Sequence, residues 1–138
     1  MTQKRQGKYV PGGFSLLVKR SSAGLGLFVG EDLAKGVCII EYVGRVVKGK
    51  EEYTSRSKYL FEVNSRKTID GRPRFNKAGY INHSCRPNAE PETVRGRVFI
   101  MSKRLIKAGE EITYDYGKEY FDDHIKPHGC RCLKCRGL

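Results

Sequence analysis

The chain has 138 residues, enough for one domain with a real core and too few for two. Its 38% hydrophobic and 10% aromatic content suits a soluble globular protein, and no run of about 18 apolar residues is present to span a membrane. A net charge of +12, from 27 Lys and Arg against 15 Asp and Glu, points to a polyanion or an acidic surface nearby.

The positive residues are spread along the chain and accompany no helix-turn-helix or RNA-binding motif. Non-specific DNA contact through a basic surface therefore fits them better than sequence-specific reading. The first residues are polar and basic without an apolar stretch behind them, so an intracellular protein is expected.

Residues 1–13, basic and ending in Pro11-Gly12-Gly13, read as a mobile arm. Residues 14–19 (F-S-L-L-V-K) predict a first strand, and residues 21–26 (S-S-A-G-L-G) a Gly-rich loop before Leu27 and Phe28. A turn over 32–36 leads to a β-branched strand over 37–43, which Gly44 interrupts and Arg45-Val46-Val47 resume. Residues 50–58 carry the chain's helical character, in a short polar segment. Strands are predicted over 58–63, 67–71, 97–102 and 111–116, with a turn at 107–110. Short strands with Gly-containing turns and almost no helix predict a mostly-β fold.

Residues 79–88, G-Y-I-N-H-S-C-R-P-N, place Asn82, His83, Ser84 and Cys85 side by side. These side chains can donate and accept hydrogen bonds, titrate, attack or bind metal. A nucleophile–base reading of Ser84 or Cys85 with His83 is disfavoured, because sequence neighbours on an extended chain point to opposite faces. No G-x-S-x-G elbow surrounds them either. Likewise, Gly24-x-Gly26 is followed by neither the helix nor the third glycine of a dinucleotide fingerprint.

The five cysteines are Cys38, Cys85, Cys130, Cys132 and Cys135. An odd number with three packed near the C-terminus is a poor disulfide framework and a better metal site. Cys130-x-Cys132-x-x-Cys135 supplies three thiolates, and structural zinc wants a fourth soft ligand. His124 and His128 are local candidates and Cys85 a distant one in a polar loop. Cys38, among Val37, Ile39 and Ile40, reads as a small buried hydrophobe. Tyr114 and Tyr116 flank Asp115 at period two, so both face one side of a strand. Tyr59 begins another strand. Paired tyrosines give a site with apolar walls and polar points.

Y-I-N-H-S-C-R-P-N (80–88), G-E-E-I-T-Y-D-Y-G (109–117) and the terminal cysteines together resemble the SET-domain protein lysine methyltransferases. A-G-L-G-L-F (23–28) is similar to that family's cofactor loop, and K-G-V-C-I-I-E-Y-V-G (35–44) to its first E-Y-x-G strand. The resemblance implies several small sheets with a knot-like C-terminal segment, a catalytic domain over 14–117 and a zinc-binding post-SET-like tail over 118–138. It implies S-adenosylmethionine held by Gly24, Leu25, Gly26, Asn82 and His83, with Leu133 over the adenine. Tyr116 would be the active-site tyrosine, Tyr59 a wall of the lysine channel, and Tyr114 the residue that tunes methyl number. Structural zinc would sit on Cys85, Cys130, Cys132 and Cys135. A protein with an exposed lysine, a histone tail first, is the implied substrate, and chromatin in the nucleus the implied setting. The chain departs from the family in its tail, where Cys132 and Cys135 enclose two residues instead of four, and in a short segment between Val47 and Tyr59. A silent SET-like module that binds protein or nucleic acid is the competing reading. A zinc knuckle would account for the tail and the charge but not for the tyrosine and N-H-S-C motifs.

Overall fold

A computed structural model describes residues 8–22, 24–47, 60–64, 67–71, 73, 75–117, 125, 126, 129, 130 and 132. Their strands are β1 Leu16–Ser21, β2 Gly24–Val29, β3 Cys38–Tyr42, β4 Arg45–Val47, β5 Leu60–Asn64, β6 Lys67–Asp70, β7 Asn82–His83, β8 Ala89–Val94, β9 Arg97–Ser102 and β10 Glu111–Tyr114. A short 3-10 helix, Lys77–Tyr80, leads into β7. The helical segment expected over 50–58 lies outside the described residues. No helix among those described is long and apolar enough to cross a membrane.

Three small sheets result, ordered β1-β2-β10-β7, β3-β9-β8 and β4-β6-β5. The mostly-β expectation holds, and the strand ends move by two residues or so. One expectation is corrected: residues 21–26 are not chiefly a loop. β1 and β2 pair antiparallel from Leu16 opposite Val29 to Ser21 opposite Gly24, so the glycine motif opens a strand. Antiparallel pairing is a main-chain property and needs no side chain at Gly24 or Gly26. Gly24 has φ 102°, a conformation that L side chains rarely adopt, at the hairpin's end.

Sequence patterning passes over β8, which carries Pro91 and lacks clear alternation. It lies at the edge of its sheet, where a proline is tolerated. The readable signal was Arg95-Gly96 between Val94 and Arg97. Both residues have positive φ, 52° and 79°, as a two-residue hairpin turn of the I′ kind requires.

The sheets share one core. Leu27 of β2, Ile39 and Tyr42 of β3, Ile69 of β6, Val98 and Ile100 of β9, and Ile112 and Tyr114 of β10 pack in a single buried cluster. β9, central in its sheet, is buried along five of its six residues, which is why it reads as a continuous apolar run. A satellite cluster of Cys38, Phe99 and Met101 lies on the other side. The end of the basic arm is seated there: Tyr9 packs on Phe99 with centroids 5.4 Å apart, and its hydroxyl donates to Glu92 at 2.7 Å. Gly12 N–H also donates to the Cys38 carbonyl at 3.2 Å. Tyr9 and Gly12 are thus tied to β8, β9 and β3; of the arm expected to be mobile over 1–13, residues 1–7 lie outside the described residues.

Candidate functional site

The functional motifs converge where β7, β10 and β2 meet. β10 pairs with β2 through Glu111 opposite Phe28 and Ile112 opposite Leu27. On its other edge it runs parallel to β7, with Thr113 opposite Asn82 and Tyr114 opposite His83. Ser84 N–H donates to the Tyr114 carbonyl at 3.1 Å and extends this ladder. Asn88 then clamps the same strand by acting as a strand edge. Its amide donates to the Glu111 carbonyl at 2.8 Å and its oxygen accepts from Thr113 N–H at 2.9 Å.

Asn82 is 7% exposed, and its amide nitrogen donates to Ser21 Oγ at 3.1 Å, the Leu25 carbonyl at 2.8 Å and Glu111 Oε2 at 2.8 Å. This contact set explains the second glycine. A Cβ at Gly26 would stand 2.2 Å from Glu111 Oε2 and 3.1 Å from Asn82 Nδ2. Gly26 is therefore needed for space beside the Asn82–Glu111 pair, while Gly24 is needed for its backbone angle. Leu25 contributes its carbonyl; its side chain is largely exposed. Glu111 and Ser21 were not foreseen as site residues, because nothing in G-E-E-I-T says which glutamate turns inward.

A cavity of about 710 Å³ opens beside this junction, lined by Ser21, Ser22, Asn82, His83, Arg86 and Cys132 among others. Its size suits a small-molecule ligand. Of the residues predicted to hold a cofactor, Asn82 and His83 line it directly; Leu25 and Gly26 lie against the Asn82 amide, and Gly24 pairs with Ser21, which lines the cavity. Leu133 lies outside the described residues.

On β10, Tyr114 is buried and Tyr116 half-buried just beyond the strand's end. Their rings pack with centroids 5.0 Å apart, as the period-two spacing predicted. Phe61 of β5 flanks Tyr114 at 6.4 Å and Tyr42 of β3 flanks Phe61 at 5.4 Å, which extends the aromatic wall. The Tyr116 hydroxyl donates to the Ile81 carbonyl. Tyr59 lies outside the described residues.

His83 sits edge-on to Tyr116, with ring centroids 5.5 Å apart. Its Nδ1 accepts from Tyr116 N–H at 3.0 Å, and its Nε2 lies 3.4 Å from Cys85 Sγ. Burial holds its pKa below the usual histidine value, outweighing the opposing pull of the Asp115 carboxylate. The nucleophile–base reading fails for a sharper reason than sequence adjacency. Cys85, two residues on, does return to the face of His83. A histidine acting as base at Nε2 holds its proton on Nδ1, as in a catalytic triad, whereas this Nδ1 is an acceptor. Ser84 Oγ, for its part, accepts from Arg86 N–H at 3.0 Å.

Cys85 and Cys130 bring their sulfurs to 4.0 Å, and with His83 Nε2 their ligand atoms all lie within 4.8 Å of one another. Sulfurs on a tetrahedral zinc with bonds of about 2.3 Å stand about 3.8 Å apart, so this pair fits that geometry. Of the four predicted ligands, the structure joins Cys85 and Cys130. Cys132 is buried on the cavity wall, and Cys135, like His124 and His128, lies outside the described residues. Cys38 is 3% exposed in its apolar cluster, and burial first, then Glu41 and Glu92, push its thiol up to about 11. It is the inert hydrophobe expected of it.

The SET domain family model matches residues 24–117. Over 133 residues the chain is 36% identical to Histone-lysine N-methyltransferase 2D of Homo sapiens, covering 87% of this chain and 2% of that protein. It is 40% identical over 129 residues to Histone-lysine N-methyltransferase set-2 of Caenorhabditis elegans, covering 83% of this chain and 8% of that one. With Histone-lysine N-methyltransferase ASHH3 of Arabidopsis thaliana it shares 37% identity over 132 residues, covering 83% and 36% respectively. The chain thus spans from a fiftieth to about a third of the length of these relatives. Small sheets around one core, joined by a strand pair that carries N-H-S-C and Y-D-Y, are what that match describes in space: the chain belongs to the SET-domain family.

Proposed function

We propose that this chain is a methyltransferase domain that moves a methyl group from S-adenosylmethionine to a protein lysine. A histone tail is the substrate, with mono-methylation as the main product and some di-methylation. The observation that carries this reading is the Tyr114–Tyr116 pair, packed at 5.0 Å on a strand whose neighbour presents Asn82 and His83 to the cavity. Membership of the SET family and relatives named histone-lysine N-methyltransferases support it.

S-adenosylmethionine, when bound, supplies an electrophilic methyl on a sulfonium. Gly24, Leu25, Gly26, Asn82 and His83 form its cradle, and Leu133 covers the adenine. The chain's own contribution is to prepare the amine. Free lysine, with a pKa of about 10.4, is mostly protonated at neutral pH and is not nucleophilic. Aromatic walls at Tyr114, Phe61 and Tyr59 disfavour the ammonium by desolvation. Because the Tyr116 hydroxyl spends its proton on the Ile81 carbonyl, it can only accept from the amine. An N–H donated to that oxygen turns the nitrogen lone pair away from Tyr116 and fixes its direction. Catalysis then rests on alignment and electrostatics, with no covalent nucleophile. A Tyr hydroxyl at position 114 beside the amine limits room for further methyls.

Zinc on Cys85, Cys130, Cys132 and Cys135 would cross-link the tail to the loop after β7 and close it over the cavity. The basic surface adds non-specific DNA contact, in keeping with a nuclear, chromatin-associated role.

The test incubates the full chain, loaded with zinc, with methyl-labelled S-adenosylmethionine and histones, and reads product masses. Tyr116→Phe should lower the rate about a hundredfold while still binding the methyl donor. Full turnover by that variant would overturn the role of Tyr116, and trimethyl product from the unaltered protein would overturn the product assignment. Binding of the donor with no transfer to any basic protein would favour the silent module.

A further inference from the structure

By distance alone, His83 is a ready third metal ligand beside Cys85 and Cys130. Its hydrogen bonds argue otherwise. Tyr116 N–H lies 3.0 Å from Nδ1, and a main-chain amide can only donate. Nδ1 therefore carries no proton, and the single proton of the neutral ring is on Nε2. The 3.4 Å contact from Nε2 to Cys85 Sγ is then an N–H···S donation. Asp115 does not compete for Nδ1: its Oδ1 is 3.8 Å away and accepts from Gly117 N–H at 2.8 Å. A ring nitrogen that bears a proton has no lone pair for a metal. Ligation through Nε2 would require an imidazolate or the loss of the Tyr116 bond.

We infer that His83 is a positioning residue, fixed as the Nε2–H tautomer, that ties the Cys85 sulfur to the main chain of Tyr116 without itself binding metal. This rests on the proposed reading of Cys85 and Cys130 as metal thiolates. The placement is economical in chain terms. The β7–β10 ladder pairs Tyr114 with His83, and Tyr116 lies two residues further on. The imidazole reaches past that pair to hold the next stretch of main chain. Metal on the cysteines and the position of Tyr116 are thereby coupled through one ring, and the ligands beyond Cys85 and Cys130 come from residues other than His83, with Cys132 and Cys135 the proposed ones. Hydrogen bonds of this outer kind orient a ligand and tune its bond to the metal.

Two measurements on the unaltered, zinc-loaded chain test this without any variant. Long-range proton–nitrogen NMR of the His83 ring should show a protonated Nε2 and a bare Nδ1, and zinc X-ray absorption should show sulfur neighbours only. A protonated Nδ1, or a nitrogen in the zinc shell together with an Nε2 that carries no proton, would overturn the inference. Two substitutions then separate the arms. His83→Asn puts an acceptor near the Nδ1 site and lacks the distal donor. It should keep Tyr116 amide exchange near the native rate and weaken zinc about 10–100-fold. His83→Gln puts a donor near the Nε2 site and lacks the proximal acceptor, so it should hold zinc within about threefold of native affinity. Its Tyr116 amide should exchange at least about tenfold faster, the mark of a lost local hydrogen bond. Identical behaviour of the two variants would overturn the coupling. None of these readouts depends on methyl transfer, so an inactive protein with the expected tautomer would sink the catalytic reading and leave this one standing. A chain that binds no zinc would do the reverse to the metal arm.

Discussion

Two neighbouring parts of the molecule both bury their key side chains and are held by different forces. Around β9, Val98, Phe99, Ile100 and Met101 are at most 3% exposed, and what surrounds them is largely apolar. Around β7, Asn82 and Asn88 are 7% and 4% exposed, and what surrounds them is hydrogen bonds aimed at Leu25, Glu111 and Thr113. Apolar packing is non-directional and grows with the area removed from water. A buried amide is favourable only when donors and acceptors meet at specific angles. The first region should therefore set how stable the fold is, and the second where its strands and side chains stand.

The largest effect expected from this contrast is on the apolar side. Ile100 is fully buried in the shared core, so Ile100→Ala should lower unfolding free energy by about 2–5 kcal/mol. Urea unfolding reads this directly. Molecules that remain folded should bind S-adenosylmethionine close to normally. A loss of affinity out of proportion to the unfolded fraction would mean that the core and the junction are not separable in this way.

Gly26→Ala probes the other side and should give the reverse balance. The new Cβ meets the end of the Glu111 side chain, which can swing away, and the amide of Asn82, which is held by its neighbours. Losing the Asn82–Glu111 bond should lower stability by about 1–3 kcal/mol. Affinity for the methyl donor, measured by calorimetry on the folded protein, should fall by tenfold or more (about 1.4 kcal/mol). Unchanged affinity would show that the junction can shift without disturbing the cavity.

The same contrast explains what could be read from the sequence. Apolar runs such as residues 97–102 and 37–43 announce themselves because burial acts through composition and period. Tyr114 and Tyr116 were placed on one face by spacing alone, and their rings do meet. The polar junction was legible only as motifs. N-H-S-C marks a site, but nothing in it says that Asn82 reaches Glu111, or that Asn88 clamps β10. Those contacts join residues 23 to 29 positions apart, and only the fold brings them within 3 Å. The Gly-rich stretch misled for a related reason: glycine permits a turn without excluding a strand, and pairing with β1 decided the matter.

Thr68 offers the smallest and most pointed test, because it is a polar residue held on apolar terms. It lies in β6, central in the β4-β6-β5 sheet, and is 1% exposed. Among the described residues, its Oγ1 is a buried side-chain oxygen without a hydrogen-bond partner. Around β7, no buried side-chain oxygen or amide of the described residues lacks a hydrogen-bond partner, so Thr68 marks a contrast with that region. Valine has nearly the same shape and no hydroxyl to desolvate. Thr68→Val should therefore raise stability, by about 1 kcal/mol at most, since replacing an unanswered polar group by an apolar one of equal shape is neutral or favourable. The measurement is a shift of the urea midpoint at constant slope. A loss of similar size would mean that a bound water answers this hydroxyl, and that the directional contacts of the junction extend into the third sheet.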